Sequence, residues 1–163
     1  MRWLRVLIVL PASLWLSVGL IACETTRWKS DAKYDTSYDF SGVDTFAFAP
    51  AREKVARSKS GKITEQAIRK ELTSRGYREV ANDEAKILIS YDIGVYAAAG
   101  LGGMNRFNKS EGGITVWLYD PETMQNVWYG WAETIIKGDD TPEVVIPQAV
   151  GALFEDRIPR APN

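Results

Sequence analysis

Hydrophobic residues follow two different patterns along the chain. Residues 6–19 form a mostly apolar run that follows Arg2 and Arg5 and is interrupted by Pro11. This run is shorter than the roughly 20 apolar residues that a membrane-spanning helix requires. Beyond it, apolar residues recur with the spacings of strands and helices. The pattern predicts an N-terminal secretion signal followed by one folded domain.

Four segments have the alternation of apolar and polar residues that is typical of β-strands. They are residues 43–49, 85–96, 114–120 and 127–136. The last two flank the turn-forming residues 120–123, which favours an antiparallel hairpin. The connection 97–113 carries five glycines and is long for a hairpin, so it is expected to be mobile.

One segment, residues 62–75, has the spacing of an amphipathic helix. Its apolar face consists of Ile63, Ala67, Ile68 and Leu72. Gly76 suits the left-handed position after a helix, with Arg75 as the C-cap. This ending predicts that Leu72 and Tyr77 pack against each other.

A second helix is expected near the C-terminus. Thr141 and Pro142 resemble an N-cap followed by a first helical residue. Pro147 leaves two alternatives, either a kinked helix or a helix that begins at Pro147. The expected core residues are Val150, Leu153 and Phe154.

The order of these elements is strand, helix, three strands and helix. Amphipathic helices need an apolar sheet face to cover. The predicted fold is therefore α+β, an antiparallel sheet of about four strands with two helices packed on one face. Residues 38–158 would form this single domain, residues 24–37 lack a sustained period and would be a tether, and residues 159–163 would fray.

The end of the apolar run carries a second signal. Residues Leu20, Ile21, Ala22 and Cys23 resemble the bacterial lipobox, Leu-x-[Gly/Ala/Ser]-Cys. That resemblance implies cleavage between Ala22 and Cys23, diacylglycerol on the Cys23 sulfur and acylation of the new amino terminus. Residues 1–22 would then be a lipoprotein signal peptide, and residues 23–37 the lipidated cysteine and its tether. The alternatives are an uncleaved membrane anchor or a secreted protein with a free thiol.

Composition excludes several kinds of chemistry. The chain of 163 residues contains one cysteine and no histidine, so Ser-His-Asp and Cys-His arrangements and zinc sites of Cys/His type are ruled out. No metal and no cofactor are expected. Loss of residues 1–22 would remove Arg2 and Arg5 but no acid, which shifts the net charge from −1 to −3. A mildly acidic chain without a basic stripe is not expected to bind nucleic acid.

Several motifs, in order, resemble a bacterial lipoprotein domain family catalogued as domain of unknown function 4136. Residues 38–48 resemble its opening "D-F-s-g-y-k-T-f-a-w", and Arg75-Gly76-Tyr77 its helix ending. Residues 85–91 resemble its "a-D-l-l-v-s-y" strand, with Lys86 in place of the usual acid. Residues 111–120 and 127–130 resemble its hairpin, which ends in "l-v-W-r-G". The resemblance covers about residues 34–158 and implies fold and location, but no activity.

Two groups of residues are candidates for a site. Asp92, Asp120 and Glu133 are strand acids that could act as a carboxylate pair, although Asp120 is more simply a turn residue. Trp117, Tyr119 and Trp128 could instead line the sheet face away from the helices, as a surface for a partner. The alternative for these aromatic residues is a second small core under the 97–113 connection. No catalytic residue is assigned.

The sequence as a whole favours a lipid-anchored lipoprotein of the cell envelope that acts as a non-enzymatic binding or scaffolding module. Its expected partners are the membrane, through the lipid on Cys23, and an envelope protein. The residue after Cys23 is Glu24. An Asp at this position signals inner-membrane retention in enteric-type bacteria, so Glu24 favours the periplasmic face of the outer membrane. The alternatives are a small carboxylate-based periplasmic enzyme and a purely structural envelope component.

Overall fold

A computed structural model describes residues 27–49, 58–97, 110–155 and 158. The predicted signal peptide, Ala22, Cys23 and the frayed tail lie outside the described residues, as do residues 98–109 of the predicted mobile connection. Within the described ranges, no helix is long and apolar enough to cross a membrane.

The described residues form a six-stranded sheet and two helices. The strands are β1 (Lys29–Tyr34), β2 (Thr45–Phe48), β3 (Arg78–Glu79), β4 (Ile87–Ala97), β5 (Ser110–Tyr119) and β6 (Asn126–Ile136). The helices are α1 (Lys59–Ser74) and α2 (Pro142–Phe154), and a 3-10 turn spans Phe40–Gly42. The order of strands across the sheet is β1-β6-β5-β4-β2-β3.

The prediction of an α+β fold with two helices is confirmed, but the prediction of four antiparallel strands is wrong in detail. The sheet is mixed, because β2 runs parallel to both β3 and β4. Parallel neighbours need a long crossover connection, and α1 lies in the one that joins β2 to β4. The strands β4, β5 and β6 are antiparallel, and β5 and β6 form the predicted hairpin.

The two additional strands lie at the edges of the sheet. β1 pairs antiparallel with β6 across residues 29–34, so this part of the predicted tether belongs to the domain. Its side chains alternate between exposed and half-buried rather than between apolar and polar. The backbone pairing therefore leaves little trace in the hydrophobic pattern.

Both helices pack on the same face of the sheet. One buried cluster joins Ile68 and Leu72 of α1 with Val150 and Phe154 of α2, over side chains from the strands. The strand residues in this cluster are Phe46, Ile87, Ile89, Tyr91, Ile114, Val116, Leu118, Val127, Trp128 and Ala132. The opposite face of the sheet carries no described helix or strand, and we call it the open face.

The helix ends follow local sequence chemistry. Arg75 is the C-cap of α1, and Gly76 has a φ of 94°. The N–H of Tyr77 donates to the carbonyl of Leu72 at 3.1 Å, and the N–H of Gly76 donates to that of Thr73 at 3.1 Å. This pair of bonds is a Schellman motif. The predicted ending of α1 is confirmed.

The second helix begins at Pro142 rather than at Pro147. Thr141 is its N-cap residue, and Pro147 lies inside the helix with its ring on the exposed side. The missing N–H of a proline costs one helical hydrogen bond. Packing of Val150, Leu153 and Phe154, each 0 % exposed, offsets that loss.

Candidate functional site

The open face carries a band of aromatic side chains. Trp117 and Tyr119 of β5 lie there, half-buried, because their neighbours Val116 and Leu118 point towards the helices. Tyr129 lies directly across from Trp117 in the register of β5 and β6, and Trp131 lies two residues further along β6. We call Trp117, Tyr119, Tyr129 and Trp131 the aromatic band.

Trp128 does not belong to this surface, so its predicted place there is wrong. It pairs with Leu118, and directly paired residues share one face of a sheet. Its ring is 0 % exposed and stacks on Phe154 with 5.4 Å between centroids. Trp128 is therefore a core residue beneath α2.

Tyr129 and Trp131 were not among the candidate residues, although the sequence contained the signal that identifies them. The predicted hairpin places one face of β6 in register with Trp117, and that face holds Tyr129 and Trp131. That face of β6 is the open one only because Trp128, on the other face, is buried. The hydrophobic pattern alone does not decide this, since both faces of β6 carry a tryptophan.

Charged side chains border the aromatic band. Lys33 of β1 lies across from Tyr129, and Asp31 lies across from Trp131. On the following row, Lys29 contacts Glu133 with 3.8 Å between Nζ and Oε1. An apolar centre with a polar rim is the usual composition of a protein-binding surface.

The structure separates Asp120 from the other two candidate acids. Asp120 Oδ1 accepts hydrogen bonds from the backbone N–H groups of Glu122 and Thr123, at 2.7 and 3.0 Å, so it is a turn residue. Asp92 and Glu133 line the same shallow depression of about 190 Å³ on the open face. They are separated by two strand spacings across the sheet and by two residues along the strand direction, which corresponds to roughly 12 Å between their Cα atoms.

The other contacts of Asp92 and Glu133 are those of surface acids. Asp92 is exposed and accepts a bond from the N–H of Ile93 at 3.0 Å. Glu133 is paired with Lys29. Across the described ranges, no group of three or more acids, cysteines or histidines could hold a metal ion.

A second concave feature lies at one end of the sheet, on the side of the helices. This end cavity has a volume of about 270 Å³, is open to solvent, and is lined in part by the first turns of α1 and α2. Trp28, Ile93, Ile114, Val145 and Ile146 contribute apolar surface to it. Its polar groups, Ser60, Asp140 and Thr141, belong to the chain segments where the helices begin.

An ion pair fixes the N-terminal end of the described chain beside this cavity. The Arg27 guanidinium donates to both carboxylate oxygens of Asp140, and Nη1 lies 2.8 Å from Oδ1. The hydroxyl of Thr134 donates to the Arg27 carbonyl at 2.9 Å. The hydrogen bond from Arg27, followed by that from the Lys137 N–H, holds the pKa of Asp140 below its usual range.

Comparison with known proteins identifies the family. The family model described as Domain of unknown function (DUF4136) matches residues 30–156, which is most of the chain. The protein belongs to this family. The match begins inside β1, in agreement with the place of that strand in the domain. No curated protein matches the sequence.

Two solved structures share the fold at low sequence identity. One is the PelC dodecamer from Paraburkholderia phytofirmans, with 13 % identity and a TM-score of 0.54, covering 82 % of this chain and 99 % of that one. The other is a PDZ domain protein from Parabacteroides distasonis, with 16 % identity and a TM-score of 0.57, covering 80 % of this chain and 38 % of that one. At these identities the likeness concerns the fold alone.

Proposed function

We propose that the protein is a lipid-anchored lipoprotein of the cell envelope that binds a protein partner through the open face of its sheet. The observation that carries the proposal is the aromatic band, which lies on a face without a described helix or strand over it. Large aromatic side chains are enriched among the residues that dominate binding energy at protein interfaces.

The surroundings of the band support binding rather than catalysis. Strands β5 and β6 pair with neighbours on both sides, so the band stands on a sheet that is held by backbone hydrogen bonds. The charged residues at its border can select a partner by complementarity without adding much affinity.

The anchor in this proposal is the lipid on Cys23, which places the domain at a membrane. Glu24 after the lipidated cysteine favours the outer membrane, with the domain in the periplasm. The partner is a second envelope protein or another copy of this chain. The second possibility is included because a fold neighbour, PelC, is a dodecamer.

Photo-crosslinking in cells tests the proposed surface. A photoreactive p-benzoylphenylalanine replaces Tyr119 or Tyr129 in the full-length chain, and the adducts are identified by mass spectrometry. We expect one recurrent protein adduct from both positions. The same replacement at Tyr34, which is 59 % exposed and points to the other side of the sheet, is the matched control.

The substitutions Trp117→Ala and Trp131→Ala complete the test. If the band is the interface, each should reduce the adduct several-fold while the melting temperature shows that the domain remains folded. Equal adducts from Tyr34 and the band positions, or none from the band, would show that the open face is not a binding surface. An adduct whose mass is twice that of the chain would identify the partner as a second copy.

A further inference from the structure

The end cavity has the chemistry of a site for an uncharged alkyl chain. Its apolar wall comes from the sheet, from Trp28 and from the first turns of α2, with Ile93, Val145 and Ile146 among the residues that line it. An apolar cavity of about 150 Å³ is large enough to bind benzene. At about 270 Å³, the end cavity can hold several methylene groups of a longer chain.

The charges near the opening are already paired. Asp140 is bound by Arg27, and Lys59 of α1 forms an ion pair with Glu143 of α2. Asp139 and Lys137 also act on the first of these ion pairs, and their charges are opposite. The charged groups near the opening therefore have no net excess of either sign that would hold an ionic headgroup. A neutral acyl chain therefore fits better than a free fatty acid, which would bring its own carboxylate.

The first two described residues of the chain lie at this cavity. Arg27 is bound to Asp140 at the rim, and the next residue, Trp28, lines the cavity. Cys23 is four residues before Arg27. Four residues of extended chain span at most about 14 Å, so any lipid on Cys23 is attached within that distance of the Arg27 Cα.

We propose that the end cavity holds part of one acyl chain attached to Cys23 of the same molecule. This inference rests on the proposed lipidation of Cys23. A ligand tethered by so short a segment has an effective concentration in the millimolar range, which favours it over a free lipid of the same chemistry. Binding would withdraw one chain from the bilayer and hold the opening of the cavity against the membrane surface.

A photoreactive fatty acid tests the occupant directly. Cells that produce the full-length protein are fed a diazirine-containing palmitate analogue, and the lipidated protein is purified in detergent, irradiated and digested. We expect an intramolecular crosslink between the N-terminal lipopeptide and peptides that contain residues 110–119 or 142–155. The mass of the same lipopeptide reports whether Cys23 carries the lipid.

Two substitutions on consecutive residues of α2 provide a matched pair. Val145 is 7 % exposed and lines the cavity, whereas Val144 is 53 % exposed and does not. Val145→Trp fills the cavity and should reduce the crosslink at least fivefold, while Val144→Trp should leave it unchanged. If Val145→Trp does not fold, Ile146→Asp, at a half-buried position of the wall, takes its place.

The possible outcomes separate the two proposals. A lipidated Cys23 without crosslinks to the cavity wall, or with crosslinks that Val145→Trp does not change, would overturn the acyl-chain inference and leave the lipoprotein proposal intact. Crosslinks from the wall to phospholipid would show that the occupant is a different lipid, and the inference would again be wrong. An N-terminal peptide that carries no lipid on Cys23 would contradict both the lipoprotein proposal and the acyl-chain inference.

Discussion

At the scale of single residues, the packing of Trp128 explains why β6 has a glycine two positions later, at Gly130. Both lie on the helix side of the sheet, and the Trp128 indole extends over Gly130. A Cβ atom at residue 130 would lie 2.6 Å from Trp128 Cη2 and 3.2 Å from the Ala32 Cβ. The glycine therefore provides the space in which the tryptophan lies flat against Phe154.

Gly130→Ala is expected to destabilise the domain by about 1–3 kcal/mol, because the fully buried indole cannot move away from the new methyl group. Urea denaturation followed by circular dichroism measures the free energy of unfolding. Gly42→Ala is the control, since a Cβ there would meet nothing within 4 Å. Equal effects of the two substitutions would contradict this account of Gly130.

The residue scale also shows what the sequence can and cannot reveal about the site. Trp117 and Tyr119 lie on the face predicted for them, away from the helices, because they alternate with apolar residues along β5. Trp128 was misassigned because β6 is aromatic on both faces. Which face is buried depends on Phe154, a residue 26 positions later that contacts Trp128 only after folding.

At the scale of elements, local chemistry was predictable and long-range pairing was not. The ending of α1 follows from three adjacent residues and the left-handed conformation of Gly76. The strand β1 leaves no comparable pattern, because Lys29, Asp31 and Lys33 face the open side at the edge of the sheet. Charged residues are common on edge strands, where they prevent pairing with other chains.

Strand β1 is held at its beginning by the ion pair between Arg27 and Asp140. Asp140→Asn should weaken this attachment and increase amide hydrogen exchange in residues 29–34, with little change in β4 or β5. Mass spectrometry of exchanged peptides at neutral pH measures the effect. Asp139→Asn, which removes the same charge from the exposed neighbouring position outside β1, is the control and should leave exchange nearly unchanged.

The same attachment should depend on pH in a defined direction. The pKa of Asp140 is lowered in the folded state. The stabilisation that its carboxylate gives to the attachment of β1 is therefore fully present above the ordinary pKa of an aspartate, about 4. It is lost as the pH falls through the lower, folded value. Acidification should therefore loosen β1 in the natural protein but have less effect on the Asp140→Asn variant. If the amides of β1 were equally protected from exchange at all pH values, the Asp140 carboxylate would have no role in holding this strand.

At the scale of the whole molecule, the two candidate surfaces lie on opposite sides of one sheet. The aromatic band occupies the open face, whereas the end cavity lies among the helix starts on the covered face. Strands β5 and β6 contribute residues to both. Binding of a partner and retention of an acyl chain can therefore take place in the same molecule without competing for space.

This arrangement depends on Cys23, which lies outside the described residues, and the anchor is therefore the feature to test first. Cys23→Ser should produce an uncleaved precursor without lipid, because a serine hydroxyl does not replace the thiol in diacylglycerol transfer. Labelling with radioactive palmitate and the electrophoretic mobility of the product measure the two effects. A substitution at the neighbouring tether position, Thr25→Ala, changes no residue of the resembled lipobox and should be labelled as the natural protein is. Normal labelling of Cys23→Ser would show that Cys23 is not the attachment site of the lipid, and both the proposed anchor and the acyl-chain inference would then be wrong.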